Sequence, residues 1–260
     1  MDAQTWDQLS TTYFDQISSP FEQEVVNPLL TFLEALPGRE GMTVADLGCG
    51  IGNLLPFLSE RFRKVVAVDF SSGMLRQART RCTPENVVFY RRSLANLSHF
   101  RGQLDVAVAV NSVLSPKLSE VDLILREIAS TLKPGGTFAG IFPSMESVLY
   151  EGVLILEKER EQDQTEEQAR KKVSKLIGPR RYDFISGLYT EGADQQKFYY
   201  SFELRKRLQS AGFKNIQFGK VLYPWSEDHA WFDFSGEPRM WDWFVRATVG
   251  RRVEQARPAA

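Results

Sequence analysis

Three glycines at alternate positions, Gly48, Gly50 and Gly52, separate two apolar runs in the first quarter of the chain. The first run, Thr43–Leu47, has the composition of a buried strand, and the second begins at Leu54. Glycine lacks a Cβ atom, so it admits positive φ angles and lets a ligand or another backbone approach closely. The pattern predicts a sharp strand-to-helix turn, at which the free N–H groups and positive dipole end of the helix favour a polar or negatively charged ligand.

Two acidic residues accompany this turn. Asp46 precedes Gly48 by two residues, where its charge would repel a bound pyrophosphate. Asn53 occupies the position of the third glycine in the dinucleotide fingerprint, which further disfavours a nicotinamide oxidoreductase. The next predicted strand, Lys64–Asp69, ends in an acid, and a carboxylate at such a strand tip can accept hydrogen bonds from both ribose hydroxyls.

These residues resemble the class I S-adenosylmethionine-dependent methyltransferases, whose first motif is an acid, an apolar residue and G-x-G-x-G. The resemblance runs from about Val44 to Phe142 and returns from Phe202 onward. It implies S-adenosyl-L-methionine as cofactor, with its ribose on Asp69 and its ammonium held by Asp46, directly or through water. The turn residues that the resemblance assigns to the cofactor are Gly48, Cys49, Gly50, Gly52 and Asn53.

The same resemblance predicts the adenine contacts. Phe70, directly after the ribose acid, and Met74 would pack around the base, although Met74 also suits the core. Ser93 stands where relatives commonly carry an acid that binds the adenine amino group, and the Leu94 amide lies beside it. A serine hydroxyl can still hydrogen-bond to adenine, so we assign both residues to the cofactor.

A further pair of candidates follows the apolar run Leu104–Val110, which is typical of a strand covered on both faces. Side chains at the carboxyl end of a central parallel strand face the ligand crevice. Asn111 and Ser112 are therefore predicted to contact cofactor or substrate, with a local Asx-type turn at Asn111 as the alternative.

Methyl transfer from a sulfonium is an in-line displacement, for which alignment supplies much of the rate. A general base is needed only when the accepting atom carries a proton. We predict His229, in an aromatic-rich loop after the sixth strand, and Tyr13, in an N-terminal helix that closes the cleft in many relatives, as catalytic residues. His99 and Tyr150 are weaker candidates for the base, and His229 as an ordinary exposed loop residue is the alternative.

Composition limits the partners of this 260-residue chain. With 32 basic and 33 acidic residues, nothing in its composition suggests the basic face that nucleic acid requires, and no apolar run approaches membrane-spanning length. The start lacks the features of a signal peptide. Two cysteines in different elements and two distant histidines predict no disulfide framework, no metal site and a cytoplasmic location. A small-molecule substrate is expected, and the sequence does not specify an oligomeric state.

The expected fold class is α/β: a doubly wound, mostly parallel seven-stranded sheet of the Rossmann-like methyltransferase type, with an antiparallel last strand and a helical cap insertion. The predicted later strands are 86–90, 137–142 (after a turn at 133–136), 215–222 and 243–249, and Ser201 is predicted to cap a helix that ends at Gly212. The predicted domains are a helical lid (1–38), the core (39–143 and 201–250), the insertion (144–200) and a disordered tail (251–260).

The insertion is predicted to begin with one long helix over 145–177, whose mixed charges form a solvated face. It leaves from the carboxyl end of the fifth strand, at the edge that carries the glycine turn. We therefore expect it to cover the cleft, with a surface embellishment as the alternative. The leading hypothesis is a methyltransferase that acts on a small molecule in a capped, aromatic-lined pocket. A protein-side-chain methyltransferase and a catalytically silent cofactor-binding scaffold are the alternatives.

Overall fold

One large β-sheet organises the protein, in a computed structural model that describes residues 6–7, 19–162, 165–192, 194–225 and 234–250. Its strands are β1 (Thr43–Leu47), β2 (Lys64–Asp69), β3 (Val87–Arg91), β4 (Leu104–Val110), β5 (Leu132–Phe142), β9 (Phe213–Tyr223) and β10 (Met240–Val249). A second, small sheet contains β6 (Tyr182–Asp183), β7 (Leu188–Glu191) and β8 (Asp194–Lys197). The helices are α1 (Pro28–Glu34), α2 (Leu55–Arg61), α3 (Ser72–Arg81), α4 (Leu118–Thr131), α5 (Met145–Glu161), α6 (Glu166–Leu176) and α7 (Ser201–Ser210).

The strand order of the large sheet is β3-β2-β1-β4-β5-β10-β9. Neighbours from β3 to β5 pair in parallel, and β10 pairs antiparallel with both β5 and β9. Strands β1 to β3 follow one another toward one edge of the sheet, whereas β4 and β5 lie on the other side of β1. At such a switch point, between β1 and β4, a crevice opens at the carboxyl ends of the strands. The predicted fold class, including the antiparallel last strand, is confirmed.

The sheet is covered on both faces, which explains the continuous apolar runs. Val44 belongs to a buried cluster with Leu29 of α1 and Leu58 of α2, whereas its neighbour Ala45 packs in a second cluster with Leu125 of α4. Successive strand residues point to opposite faces, so each strand contributes to both clusters. All residues of β1 are buried. The central strands are thereby held rigidly beneath the crevice.

Three sequence-based boundaries are wrong. The predicted turn at 133–136 belongs to β5, which begins at Leu132. The pairing of β5 with β4 is irregular there, since Leu104 pairs with Leu132 but Val106 pairs with Thr137. Ser201 does not cap α7, because Tyr200 occupies the cap position and makes no capping side-chain bond. The long helix over 145–177 is two helices, and α6 starts with its own capping box.

That capping box explains the break. The Thr165 hydroxyl accepts from the backbone of Gln168, and the Gln168 side chain accepts from the Thr165 backbone, so the orphan donors of a new helix start are satisfied. The remainder of the insertion forms the small sheet β6-β7-β8, which the sequence analysis did not predict. Of the predicted N-terminal lid, the described part is helical at residues 6–7 and in α1. Within the described ranges, no helix has both the length and the apolar content to cross a membrane.

Candidate functional site

The glycine turn and the second acid emerge at the same edge of the sheet. Strands β1 and β2 are parallel neighbours in which Leu47 pairs with Val68, so both end at one level. The amides of Gly48 and Cys49 donate to the Val68 carbonyl at 2.7 and 3.0 Å. This bonding fixes the turn directly beside the tip of β2, where Asp69 stands.

The structure explains why two positions of the turn are glycine. Gly48 has a φ of 81°, and a Cβ atom there would lie 2.3 Å from the Cβ of Ser112, so the β4 end packs against the bare turn. Gly50 has a φ of 53°, and a Cβ atom there would meet nothing within 4 Å. Gly48 therefore permits close packing between strand ends, whereas the space beside Gly50 is open to a ligand.

Asp69 is held in place by the turn. Its Oδ2 accepts from the Gly50 amide at 2.9 Å, and its Oδ1 accepts from the Ser71 amide at 2.8 Å. Burial raises the pKa of the Asp69 carboxyl group, and these amide donors oppose that rise by favouring the charged form. The carboxylate therefore has a fixed orientation at the cavity wall, as required for a group that accepts hydrogen bonds from a ribose.

Asp46 is a buried carboxyl group for which the described part of the chain supplies no partner. Only 3% of the residue is exposed, and no donor among the described residues forms a hydrogen bond with it. Burial, and secondarily the negative charge of Asp69, raise the pKa of Asp46 to about 7. A buried acid of this kind gains stability when a cation binds nearby. The site thus has a place for positive charge.

Most of the predicted cofactor residues line one cavity of about 600 Å³ at this edge. The predicted residues on its wall are Gly48, Gly50, Asp69, Phe70, Met74, Ser93, Leu94, Asn111 and Ser112. The predicted residues that are not on its wall are Asp46, Cys49, Gly52 and Asn53. Cys49 is buried and its thiol lies 3.8 Å from the Gly50 carbonyl oxygen, so it supports the turn rather than facing the cavity. Gly52 packs against Ala78 of α3.

Trp6 lines the cavity and was missed as a site residue, because its apolar spacing fits simple packing. The neighbouring Asp7 accepts hydrogen bonds from the Ser71 hydroxyl and from the Gly73 amide, the latter at 2.8 Å. Asp7 is therefore fastened to the start of α3, beside the predicted adenine contacts. The Trp6-Asp7 dipeptide matches no recognised motif, so the sequence carried no specific signal for it.

Gln195 and Gln196 of β8 also line the cavity, together with residues that follow β4: Leu114, Ser115, Pro116, Lys117 and Glu120. Strand β8 is tied to this segment, since the Lys197 amide donates to the Leu114 carbonyl at 3.0 Å. The ammonium group of Lys197 is buried and donates to Glu203 at 2.7 Å. The insertion therefore contributes side chains to the cavity wall.

The four candidates for a general base do not meet in the described part of the site. His229 and Tyr13 lie outside the described residues. His99 packs against Tyr90 and Phe100, with ring centroids 5.6 and 4.9 Å apart, and is not on the cavity wall. Tyr150 packs against Trp241 at 5.6 Å, also away from that wall. The described residues contain no group of three or more His, Cys, Asp or Glu side chains able to hold a metal ion.

Comparison with known proteins agrees with this geometry. Residues 44–136 match a family model described as a methyltransferase domain. The trans-aconitate 2-methyltransferase of Rhodopseudomonas palustris (strain BisB5) is 32% identical over 125 residues, which cover 47% of each chain. The chain thus spans about half the length of the curated relatives that it matches.

Two solved structures share the fold over almost their whole length. A SAM-dependent methyltransferase from Methanosarcina mazei has a TM-score of 0.61 and 18% identity, covering 87% of this chain and 99% of that one. Magnesium protoporphyrin IX methyltransferase from Synechocystis PCC 6803, with bound SAH, has a TM-score of 0.60 and 17% identity, covering 96% and 100%. Together with the sequence match over residues 44–136 and the paired acids beside the glycine turn, they support a methyltransferase domain of the class I S-adenosylmethionine-dependent type in this chain.

Proposed function

We propose that this protein transfers the methyl group of S-adenosyl-L-methionine to a small molecule bound beside the glycine turn. The observation that carries the proposal is a cavity at the sheet edge on which the glycine turn, Asp69 and Asn111 converge. The unpaired Asp46 carboxyl group fits a cofactor that has an ammonium group, and the open side of Gly50 fits its close approach. The proposed site therefore suits the whole cofactor.

Each part of the cofactor has a proposed partner. Asp69 accepts the ribose hydroxyls, and the bare backbone of Gly48 and Gly50 lies along the methionine part. Asp46 holds the ammonium group, through water or after a small movement, since it is not on the cavity wall. The proposed adenine contacts are Phe70, Met74, Ser93 and Leu94.

The bound cofactor supplies a methyl group on a positively charged sulfur, which is already activated toward displacement. The work left to the protein is to align the acceptor and to exclude water, and effective molarities on the order of 10⁵ M or more show the value of such alignment. We assign alignment to the residues after β4, and water exclusion to Trp6 and to Gln195 and Gln196 of the insertion. His229 and Tyr13 remain proposed catalytic residues for an acceptor that must lose a proton.

The acceptor is proposed to be a small molecule, in keeping with the acceptors named for the relatives. The matched relatives act on trans-aconitate, and one structural neighbour acts on magnesium protoporphyrin IX. We do not assign trans-aconitate to this chain, because Lys117 is the one basic side chain among the described residues of the cavity wall. Three carboxylates would call for more positive charge than one lysine supplies.

Calorimetry and turnover test the proposal together. We expect S-adenosylhomocysteine to bind and NAD to leave the heat signal unchanged. Incubation with radiolabelled S-adenosylmethionine should then label one or more members of a metabolite extract. Binding with labelling of protein substrates alone would favour the side-chain methyltransferase, and binding without any labelling would favour the silent scaffold. Absence of S-adenosylhomocysteine binding would refute the proposed cofactor site itself.

A further inference from the structure

Three polar side chains from distant parts of the chain meet behind the cavity wall. Asn111 follows β4, Asp242 lies at the start of β10, and Tyr223 ends β9. The Asn111 Nδ2 donates to the Asp242 Oδ2 at 3.1 Å, and the Tyr223 hydroxyl donates to the same oxygen at 2.8 Å. Of the three, Asn111 is on the cavity wall and the other two stand behind it.

The carboxylate determines which way the amide points. An ionised carboxylate only accepts hydrogen bonds, so the Asn111 side chain must turn its nitrogen toward Asp242 and its oxygen away. Burial raises the pKa of Asp242 to about 6, which leaves this group mostly ionised at neutral pH. Burial and the Asp242 charge also raise the pKa of Tyr223, so the tyrosine remains a donor.

The backbone of Asn111 is equally constrained. Its φ is 44°, in the left-handed region that few residues other than glycine adopt. Its amide donates to the Ile141 carbonyl of β5 at 2.9 Å. Main chain and side chain are therefore both held in one arrangement, directly beside the Ser112 that packs on Gly48.

This arrangement leaves the Asn111 Oδ1 atom buried and without a hydrogen-bond partner among the residues that the structure describes. An unpaired buried carbonyl costs about 1–3 kcal/mol, so native structures rarely keep one that nothing uses. Hydrogen bonds at such sites are often incomplete in the free protein and form when the ligand binds. Asn111 is on the cavity wall, so a donor on a ligand bound there is the partner that this oxygen lacks.

An ammonium group is the donor that suits this position. The oxygen lies on the β4 side of the glycine turn, next to β1, which carries the unpaired Asp46. Hydrogen bonding of the amide nitrogen to Asp242 polarises the amide, which makes its oxygen a stronger acceptor. The Asp242 charge behind it also favours a cation over an anion in the cavity.

We propose that Asp242 and Tyr223 are positioning residues, which hold the Asn111 carboxamide so that its oxygen accepts a hydrogen bond from the amino group of the cofactor. The inference rests on the proposed cofactor site, but it adds a role for two residues, Asp242 and Tyr223, that do not touch the cofactor. It assigns Asn111 to the methionine end of the cofactor and not to its adenosyl end. The two ends can be tested separately.

The test compares two ligands by calorimetry. S-adenosylhomocysteine carries the amino acid, whereas 5′-methylthioadenosine keeps the adenosine and the sulfur but lacks the amino-acid part and its ammonium group. We expect Asn111→Ala to weaken S-adenosylhomocysteine binding roughly tenfold or more, as for loss of a hydrogen bond to a charged group, and to leave methylthioadenosine binding within about twofold.

Two more variants test the positioning role. Asp242→Asn lets the Asn111 amide pair in either orientation, and Tyr223→Phe removes one donor, so each should weaken S-adenosylhomocysteine binding selectively. Tyr200→Phe is the matched control, because its hydroxyl donates to the Phe184 carbonyl at 2.9 Å, away from the cavity wall. It should change neither affinity.

The outcomes separate this inference from the proposed function. Methylthioadenosine binding by each variant also reports that the variant has folded. Equal losses for the two ligands, or unchanged S-adenosylhomocysteine affinity in Asn111→Ala, would overturn the positioning role while leaving the cofactor site intact. Failure of the wild-type protein to bind either ligand would overturn both proposals.

Discussion

Asp46→Asn is expected to stabilise the free protein at alkaline pH and to weaken its binding of S-adenosylhomocysteine. Asparagine has nearly the same shape as a protonated aspartate but cannot ionise. The substitution therefore removes the cost of a buried, unpaired charge and leaves the packing under the glycine turn nearly unchanged. The same change removes the negative group proposed to attract the cofactor ammonium.

The magnitude follows from the raised pKa of Asp46, which is about 7 against an ordinary value of 3.8. Each tenfold difference in proton affinity is worth about 1.36 kcal/mol, so this shift in pKa corresponds to about 4 kcal/mol. Because the pKa is raised on folding, the free energy of unfolding begins to fall above the ordinary value and continues to fall through the folded value. The gain from asparagine is small near pH 4 and reaches about 4 kcal/mol above about pH 8.

Urea unfolding of the free wild type and variant between about pH 5 and 8.5 measures this gain. Asp105→Asn is the control, because the Asp105 carboxylate is paired with Lys133 at 2.7 Å and accepts from the Thr43 amide at 2.8 Å. Removing a paired charge should destabilise the protein. If Asp46→Asn raises the free energy of unfolding and Asp105→Asn lowers it, the effect depends on whether the carboxylate has a hydrogen-bonded partner.

Binding should also release protons from the wild type. With a pKa of about 7, Asp46 is about half protonated at pH 7, and a bound ammonium group favours its charged form. Calorimetry in buffers with different heats of ionisation should therefore report about half a proton released per S-adenosylhomocysteine, and none from Asp46→Asn. A variant that is not stabilised at high pH and that binds the ligand with wild-type affinity would refute the reasoning.

Three other substitutions test the site and the insertion. Asp69→Ala should weaken S-adenosylhomocysteine binding by at least about tenfold, since two proposed ribose hydrogen bonds are lost; unchanged affinity in calorimetry would remove the ribose assignment. Gly48→Ala should lower the free energy of unfolding by about 2 kcal/mol or more, because the new Cβ atom would lie 2.3 Å from Ser112. Lys197→Met should lower the free energy of unfolding by about 2 kcal/mol, because the Glu203 carboxylate loses its buried hydrogen bond from Lys197 and keeps its ion pair with Arg207; an unchanged denaturation midpoint would contradict that.

The predictable part of the fold was the part with strong local patterns. The strand–glycine–helix unit at 43–61 and the apolar strand Leu104–Val110 have continuous apolar residues that only a covered sheet can bury. The strands β6 to β8 were missed because their sequences, such as Asp194–Lys197, are polar and short. The buried Lys197 and the interactions of that strand with the segment after β4 stabilise it, and neither is visible in a local pattern.

Helix boundaries failed for a related reason. The charged stretch from Glu157 to Lys175 suits a helix throughout, and propensity alone gives no reason to end it at Glu161. The reciprocal bonds of Thr165 and Gln168 supply an alternative start, and Ile155 of α5 and Ile177, directly after α6, are then buried in one cluster. Tertiary packing therefore outweighed a weak local preference.

By itself, the sequence determined the glycine turn and the two acids beside it. A positive φ angle and a missing Cβ atom require glycine, and a carboxylate at a strand end requires an acid, each at a fixed spacing. Only the tertiary structure decided that Asp46 is unpaired, that Trp6 reaches the cavity and that Asn111 faces Asp242 across 131 residues of chain. Those relations depend on strand order and on which side chains share one edge of the sheet. Contacts between residues so far apart leave no pattern in a single sequence.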